Sequence, residues 1–198
     1  FIKKMLNQIN QYISNNSDLI NLTQIEKNNL KKEGYVKLSR NKSFWDKHNI
    51  NLDEFTNITE KLIIKEKKIN IDKDKNKDLN TYKPETGANR VSNLIGKFDK
   101  FKKFISIPDI LILVSHVLDD KYRISSIDIR EPLPNHGDQG IHLDWNQRQN
   151  INEKILQCSA FIYLDDVDEN NGPLRVIPRS HNDLVNIKSI SMYEDKRT

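Results

Sequence analysis

The sequence has little cysteine and no long apolar run. Cys158 is the single cysteine among 198 residues, so no disulfide bond can form within the chain. This composition favours a reducing compartment, and we expect a cytoplasmic protein. No apolar stretch approaches the roughly 20 residues that a membrane-spanning helix needs. The N-terminal sequence FIKKMLNQINQYISNN also lacks the apolar segment of a signal peptide, so no membrane association is predicted.

Charge of one sign is not concentrated anywhere in the chain. The sequence has 32 Lys and Arg against 28 Asp and Glu, which gives a formal net charge of +4 and a pI near 9.0. The lysines are interleaved with Asp, Glu, Asn and Ile, whereas a nucleic-acid interface clusters basic residues among exposed aromatic ones. The positive excess therefore indicates a solvated surface, and no nucleic-acid partner is predicted.

The first 120 residues have helical periodicity. Apolar residues recur at helical spacing and predict helices over 1–16, 23–34, 52–67, 90–104 and 107–119. Thr23 and Glu26 form a capping-box pattern at the start of the second helix, and Gly34 is a plausible end for it. Residues 35–38 are predicted to form a short strand. Residues 65–80 combine alternating charges with few apolar side chains, and we expect an exposed loop there.

After Asp120 the pattern changes to that of strands. Period-2 alternation and β-branched residues predict a strand over 122–133. Further strands are predicted over 141–145, over the long apolar run 155–166 and over 174–178, with turn residues between them. Helices followed by strands favour one domain over residues 1–198, with a helical part to residue 120 and a β core from residue 121. The expected fold is mainly β, an antiparallel double sheet with helices packed on one side.

His142 and Asp144 are candidate metal ligands within the predicted strand IHLDW. Side chains two residues apart on a strand project to the same face, so the imidazole and the carboxylate converge on one point. A second histidine from a distant strand would complete a 2-His-1-carboxylate site for Fe(II). The His-x-Asp spacing alone is common, and a surface strand with polar side chains explains it equally well.

Longer stretches of sequence give this pair its context. The informative segments are LTQIEKNNLKKEGYVKL (22–38), GANRVSNL (87–94), REPLPNHGDQGIHLDW (130–145) and FIYLDDVDENNGPLRVIPRSH (161–181). In their order and content they resemble the phytanoyl-CoA dioxygenase family of Fe(II)- and 2-oxoglutarate-dependent oxygenases. The resemblance implies a double-stranded β-helix, or jelly-roll, core flanked by helices. It also implies Fe(II) and 2-oxoglutarate as cofactors, O2 as cosubstrate, and hydroxylation of a small-molecule substrate with release of succinate and CO2.

The resemblance assigns roles to individual residues. His142 and Asp144 match the first two iron ligands of the family. Gln139 matches a polar position near the oxoacid, and Phe161 matches a side chain that lines the 2-oxoglutarate pocket. Related halogenases lack the carboxylate ligand, so the presence of Asp144 favours hydroxylation.

Two arginines are candidates for anchoring an anionic substrate or cosubstrate. They are Arg90 in GANRVSNL and Arg175 in GPLRVIP. A surface ion pair explains Arg90 equally well.

The third iron ligand of the family and its oxoacid-binding arginine are not visible in the sequence. His181 is the last histidine of the chain, but it belongs to the Pro-x-Ser-His turn, where the family has no ligand, so it is a minor candidate. We expect the distal histidine to follow Thr198 in a longer protein. The alternative is an inactive or fragmentary homologue that acts as a binding module.

Overall fold

Helices dominate the computed structural model, which describes residues 2–75, 87–118, 122–136, 139–144 and 154–182. The α-helices are α1 (Ile2–Asn15), α2 (Gln24–Glu33), α3 (Lys42–Lys47), α4 (Leu52–Lys75), α5 (Leu94–Lys97), α6 (Lys102–Ile105) and α7 (Pro108–Leu118). Short 3-10 segments span Ser17–Leu19, Asp99–Phe101 and Ser180–Asn182. Two strands, β1 (Ala88–Val91) and β2 (Ile129–Pro132), form one antiparallel pair.

Both ends of α2 follow from local sequence chemistry. The Thr23 hydroxyl accepts a hydrogen bond from the Glu26 backbone N–H, and the Glu26 carboxylate accepts one from the Thr23 backbone N–H at 2.7 Å. These reciprocal bonds satisfy donors that the first helical turn leaves unpaired. Gly34 ends the helix in the left-handed conformation, with φ of 82°. The predicted capping box and helix end are confirmed.

Helix α4 is longer than its apolar pattern predicts. Residues 65–75 continue the helix, so the exposed loop expected over 65–80 is wrong for this part, and residues 76–80 lie outside the described residues. The stretch contains Lys, Glu, Asp, Asn and Ile and neither Gly nor Pro. Long charged side chains lose little freedom in a helix, which allows it to continue beyond its buried part.

The core lies where α4 meets the segment between α5 and α7. Phe55 of α4 contacts Phe101 and Phe104, with ring centroids 5.3 and 4.5 Å away in edge-to-face geometry. The other buried core residues are Phe44, Ile50, Ile63, Val91, Leu94 and Ile107. The stretch predicted as one helix over 90–104 is instead the end of β1, two short helices and a 3-10 segment. Asn93 breaks it, because its φ of 57° is left-handed.

The strand pair attaches the C-terminal part of the chain to this core. Val91 lies opposite Ile129 and Arg90 opposite Arg130, and Val91 is fully buried. Ile129 packs on the same core from the facing strand. Part of the strand predicted over 122–133 is thus present, although residues 122–128 are not in a strand. The strand predicted over 35–38 is also absent from the structure.

The predicted mainly β fold with a double-stranded β-helix core is wrong. Within the described residues, helices predominate and a single two-stranded open sheet is present. Residues 141–144, 155–166 and 174–178, expected in strands, form none. A strand needs a neighbour to accept and donate its backbone hydrogen bonds, and period-2 alternation indicates only which side chains share a face.

The 161–164 segment has one side that faces the core. Ile162 and Leu164 pack against the core, while Phe161 and Tyr163 point outward and are exposed. The 161–164 segment is therefore extended along the core without being part of a sheet. Among the described ranges, no helix combines the length and apolar character that crossing a membrane requires.

Candidate metal centre

The segment that carries His142 and Asp144 follows β2 after a tight turn. The Leu133 N–H donates to the Gly87 carbonyl at 2.9 Å, which extends the strand pairing by one residue. The His136 N–H then donates to the Leu133 carbonyl at 3.0 Å across the turn. Asn135 takes the left-handed conformation that such turns favour, with φ of 59°. The sheet edge thus determines where residues 139–144 begin.

His142 and Asp144 lie side by side, as the spacing predicts. The distance between His142 Nε2 and Asp144 Oδ1 is 3.3 Å, and the two side chains are 52% and 54% exposed. Both are accessible to solutes. The backbone here is not in a strand, so the convergence comes from a bend in the chain and not from a pleated sheet.

A hydrogen bond to Gly140 determines which imidazole nitrogen faces the carboxylate. His142 Nδ1 lies 2.8 Å from the Gly140 carbonyl oxygen. A carbonyl only accepts, so Nδ1 carries a proton, and in the neutral tautomer Nε2 has the lone pair that faces Asp144. Metal-binding histidines almost always donate their second nitrogen in this way, often to a backbone carbonyl.

The pair therefore fits a divalent cation. A lone pair and a carboxylate at 3.3 Å repel each other unless a proton or a cation lies between them. Imidazole nitrogen and carboxylate oxygen are ligands of non-haem Fe(II) sites. Two donors are present at this point. No cluster of three or more His, Cys, Asp or Glu side chains occurs within the described residues.

Arg175 lies beside the same segment. Its Nη2 donates to the Gln139 carbonyl at 3.3 Å, and Gln139 precedes His142 by three residues. A guanidinium from one segment is thus attached to the backbone of the other, 36 positions away. The structure thus forms two pairs among the residues that the sequence singles out, His142 with Asp144 and Arg175 with the backbone of Gln139.

Comparison with known proteins identifies the family. The family model for phytanoyl-CoA dioxygenase (PhyH) matches residues 22–197. The chain belongs to the phytanoyl-CoA dioxygenase family. The family predicted from the sequence segments is confirmed, and its members are oxygenases that generally depend on Fe(II) and 2-oxoglutarate. Comparison with curated proteins and with solved structures gave no match.

Phe161, the residue that family resemblance places in the oxoacid pocket, is 57% exposed. Its neighbour Tyr163 accepts a hydrogen bond from the Leu174 N–H at 3.3 Å, so the two extended segments of the family motif lie next to each other. More than half of the surface of Phe161 is therefore open to solvent. Its place beside the oxoacid stays a prediction.

His181 of the Pro-x-Ser-His turn is directed elsewhere. Its Nε2 lies 3.0 Å from the Lys31 carbonyl of α2. Because a carbonyl only accepts, Nε2 donates this hydrogen bond and has no lone pair left for a metal. The structure therefore gives His181 a role at the end of α2.

Arg90 and the acidic turn at 165–169, with sequence DDVDE, have ordinary structural explanations. Arg90 Nη2 lies 3.4 Å from Asp128 Oδ2, the surface ion pair considered above. In the turn, Asp168 accepts from the Asn170 N–H at 2.7 Å, and Asn171 donates to the Asp166 carbonyl at 2.8 Å. These side chains satisfy the backbone of their own turn.

Sequence reasoning missed a buried ionic cluster in the helical part. Arg40 Nη1 contacts Glu26 Oε1 at 2.8 Å, and Arg40 Nη2 contacts Asp109 Oδ2 at 3.1 Å. Asp109 is fully buried and also accepts from the Asn21 N–H at 3.0 Å. The cluster joins the first turn of α2 to that of α7. The capping box revealed Glu26, but no local signal connects it with a partner from another part of the chain.

The hydrogen bond from Arg40 holds the pKa of Glu26 below its usual value, although burial opposes this. Burial alone would lower the pKa of Arg40, but the hydrogen bonds to Glu26 and Asp109 raise it. A cleft of about 290 Å³ beside Arg40 is lined mostly by polar side chains, and Phe44 and Lys47 also form part of its wall. The guanidinium of Arg40 is already paired with two carboxylates there.

Proposed function

We propose that this protein is an Fe(II)- and 2-oxoglutarate-dependent dioxygenase that hydroxylates a small-molecule substrate. One observation carries the proposal: His142 donates from Nδ1 to the Gly140 carbonyl while its Nε2 lies 3.3 Å from Asp144 Oδ1. Membership of the phytanoyl-CoA dioxygenase family supports iron as the cation at this pair.

In this proposal His142 Nε2 and Asp144 would hold the iron. With 2-oxoglutarate bound as well, the site would have the chemistry to hydroxylate a C–H bond with O2, with succinate and CO2 as coproducts. The Gly140 carbonyl fixes the imidazole ring and its tautomer. Asp144 takes a coordination position that a halogenase leaves for halide, so hydroxylation is the proposed outcome.

Three further residues would flank the oxoacid. Arg175 offers a positive charge that complements a carboxylate, and it is bound to the backbone of Gln139, three residues before His142. Phe161 would supply an apolar surface from the neighbouring segment. The half-exposed pair is open to a small substrate and to O2.

Anaerobic absorption spectroscopy tests the proposal. Fe(II) and 2-oxoglutarate added to the protein should give a weak charge-transfer band in the visible region, and admission of O2 should release succinate. His142→Ala should abolish the band. His136→Ala is the matched control, because His136 is an exposed histidine of the preceding turn and should leave the band intact.

The competing function is a binding module without catalysis. In the described residues two metal donors converge, whereas catalysis in this family uses three, and this observation favours the alternative. Fe(II)-dependent binding of 2-oxoglutarate without succinate release would support the module. If the protein neither bound 2-oxoglutarate with Fe(II) nor released succinate, the dioxygenase proposal would be contradicted and the iron assignment would have no support.

A further inference from the structure

The Pro-x-Ser-His turn caps the C-terminal end of α2. The Arg179 N–H donates to the Glu33 carbonyl at 2.8 Å, and Arg179 Nε donates to the Glu33 carboxylate at 3.1 Å. His181 donates from Nε2 to the Lys31 carbonyl at 3.0 Å. The last carbonyls of a helix have no partner within it, and here donors about 150 positions away satisfy two of them.

Gly34 makes room for this contact. A Cβ atom at position 34 would lie 2.2 Å from His181 Nδ1, and the φ of Gly34 is 82°. Glycine is thus required here twice, once for the left-handed helix end and once for the approach of the imidazole ring. Arg179 is itself left-handed, with φ of 66°, a conformation that surrounding contacts must maintain in a residue other than glycine.

The docked turn is continuous with the segment that reaches the metal pair. Arg175 precedes Arg179 by four residues, and its guanidinium is bound to the Gln139 carbonyl. Gly172, at the other end of this segment, lies against Pro132, since a Cβ on Gly172 would be 3.4 Å from Pro132 Cγ. The 172–182 segment is therefore held at β2 and at α2, and Arg175 lies between these two points.

We propose that His181 is a positioning residue for the metal centre. Its hydrogen bond to α2 fixes the 172–182 segment, this segment fixes Arg175, and Arg175 holds the backbone of residues 139–144 in the conformation that brings His142 and Asp144 together. The inference rests on the proposed function for its metal. It gives the family's Pro-x-Ser-His histidine the role of a tertiary helix cap that acts on the iron site from a distance.

Two readouts on the full chain test this role. The first is the dissociation constant for Mn(II), used as a redox-stable probe in the absence of 2-oxoglutarate. The second is hydrogen exchange of the peptide that contains residues 139–144. His181→Leu should weaken Mn(II) binding by roughly tenfold, the lower limit for contacts that support metal ligands, and should accelerate exchange in that peptide.

A conservative variant separates positioning from general stability. His181→Gln keeps an N–H donor at a similar reach, so it should restore both readouts to near the parent values. Hydrogen exchange in α4 and α7 should be the same in the parent and in each variant, because the hydrogen bonds of Arg179 and His181 go to α2 and not to these helices. Gly34→Ala should reproduce the effect of His181→Leu.

The outcomes distinguish the two proposals. Faster exchange confined to residues 178–182, with residues 139–144 and Mn(II) affinity unchanged, overturns the positioning role. If the parent protein binds no Mn(II), the iron assignment fails, and exchange at 139–144 still decides whether the turn controls that segment. Should His181→Leu not fold, Arg179→Ala replaces it, because the Arg179 side chain is 67% exposed and its loss removes only the ion pair with Glu33.

Discussion

Removal of the Asp109 carboxylate tests the buried ionic cluster most directly. Asp109 is fully buried, and the side chain of its partner Arg40 is 12% exposed. Asp109→Ala would leave the guanidinium with Glu26 alone and would deprive the Asn21 N–H of its acceptor. Breaking one side of a buried ion pair costs roughly 3–5 kcal/mol. We expect a loss of that size in the free energy of unfolding.

Urea denaturation followed by far-ultraviolet circular dichroism measures the loss, because helices dominate the signal. Glu54→Gln provides a matched control: Glu54 pairs with Lys100, both side chains are more than two-fifths exposed, and such pairs contribute about 0–1 kcal/mol. Replacing both Asp109 and Arg40 by Leu should recover part of the stability, because position 109 and its guanidinium partner then carry no buried charge, while Glu26 keeps its contacts with Thr23.

Two results would refute this reasoning. One is that Asp109→Ala lowers the free energy of unfolding by less than about 1 kcal/mol, which is the contribution of an exposed ion pair. The other is a double variant that is no more stable than Asp109→Ala, which would show that lost packing and not an uncompensated charge is responsible.

Three further predictions concern acid, packing and the thiol. Burial lowers the pKa of His48 below 6.5, and the guanidinium hydrogen bond lowers that of Glu26 below 4.5. Each stabilises the folded state above its unfolded pKa, so urea midpoints should fall as pH drops below about 6.5 and again below about 4.5. Glu26→Gln should reduce the second decrease, to which Glu33 also contributes because the hydrogen bond from Arg179 lowers its pKa. Phe55→Ala should cost roughly 3–5 kcal/mol in the same assay, whereas Ile25→Ala, at a 71% exposed position, should cost less than about 0.5 kcal/mol; similar losses would contradict the assigned core. Burial raises the pKa of the Cys158 thiol, so Ellman's reagent should label it more slowly in the folded protein than in urea, and equal rates would count against its burial.

Sequence reasoning succeeded where the cause lies within a few residues. The start and end of α2 were predicted from Thr23, Glu26 and Gly34, because a cap forms between residues three or four positions apart. The proximity of His142 and Asp144 was also predicted, although a bend and not a strand produces it. The family was identified from ordered segments of sequence and is confirmed over residues 22–197.

The errors concern contacts between distant residues. The apolar run over 155–166 was predicted as a strand, and Ile162 and Leu164 do pack on the core, but whether such a segment joins a sheet depends on a neighbouring strand that the run itself does not reveal. The loop expected over 65–80 is helical to residue 75, because charge alternation is compatible with an exposed helix as well as with a loop. The site roles of Gln139, Phe161 and Arg175 stay predictions.

The sequence by itself determined both ends of α2, the candidate ligand pair and the family. These properties depend on side-chain chemistry and on spacing along the chain. The tertiary structure decided that Arg40 joins α2 to α7, that His181 caps α2 and that Arg175 reaches Gln139. Each of these contacts joins residues far apart in sequence, and their geometry exists only after the core has brought the segments together.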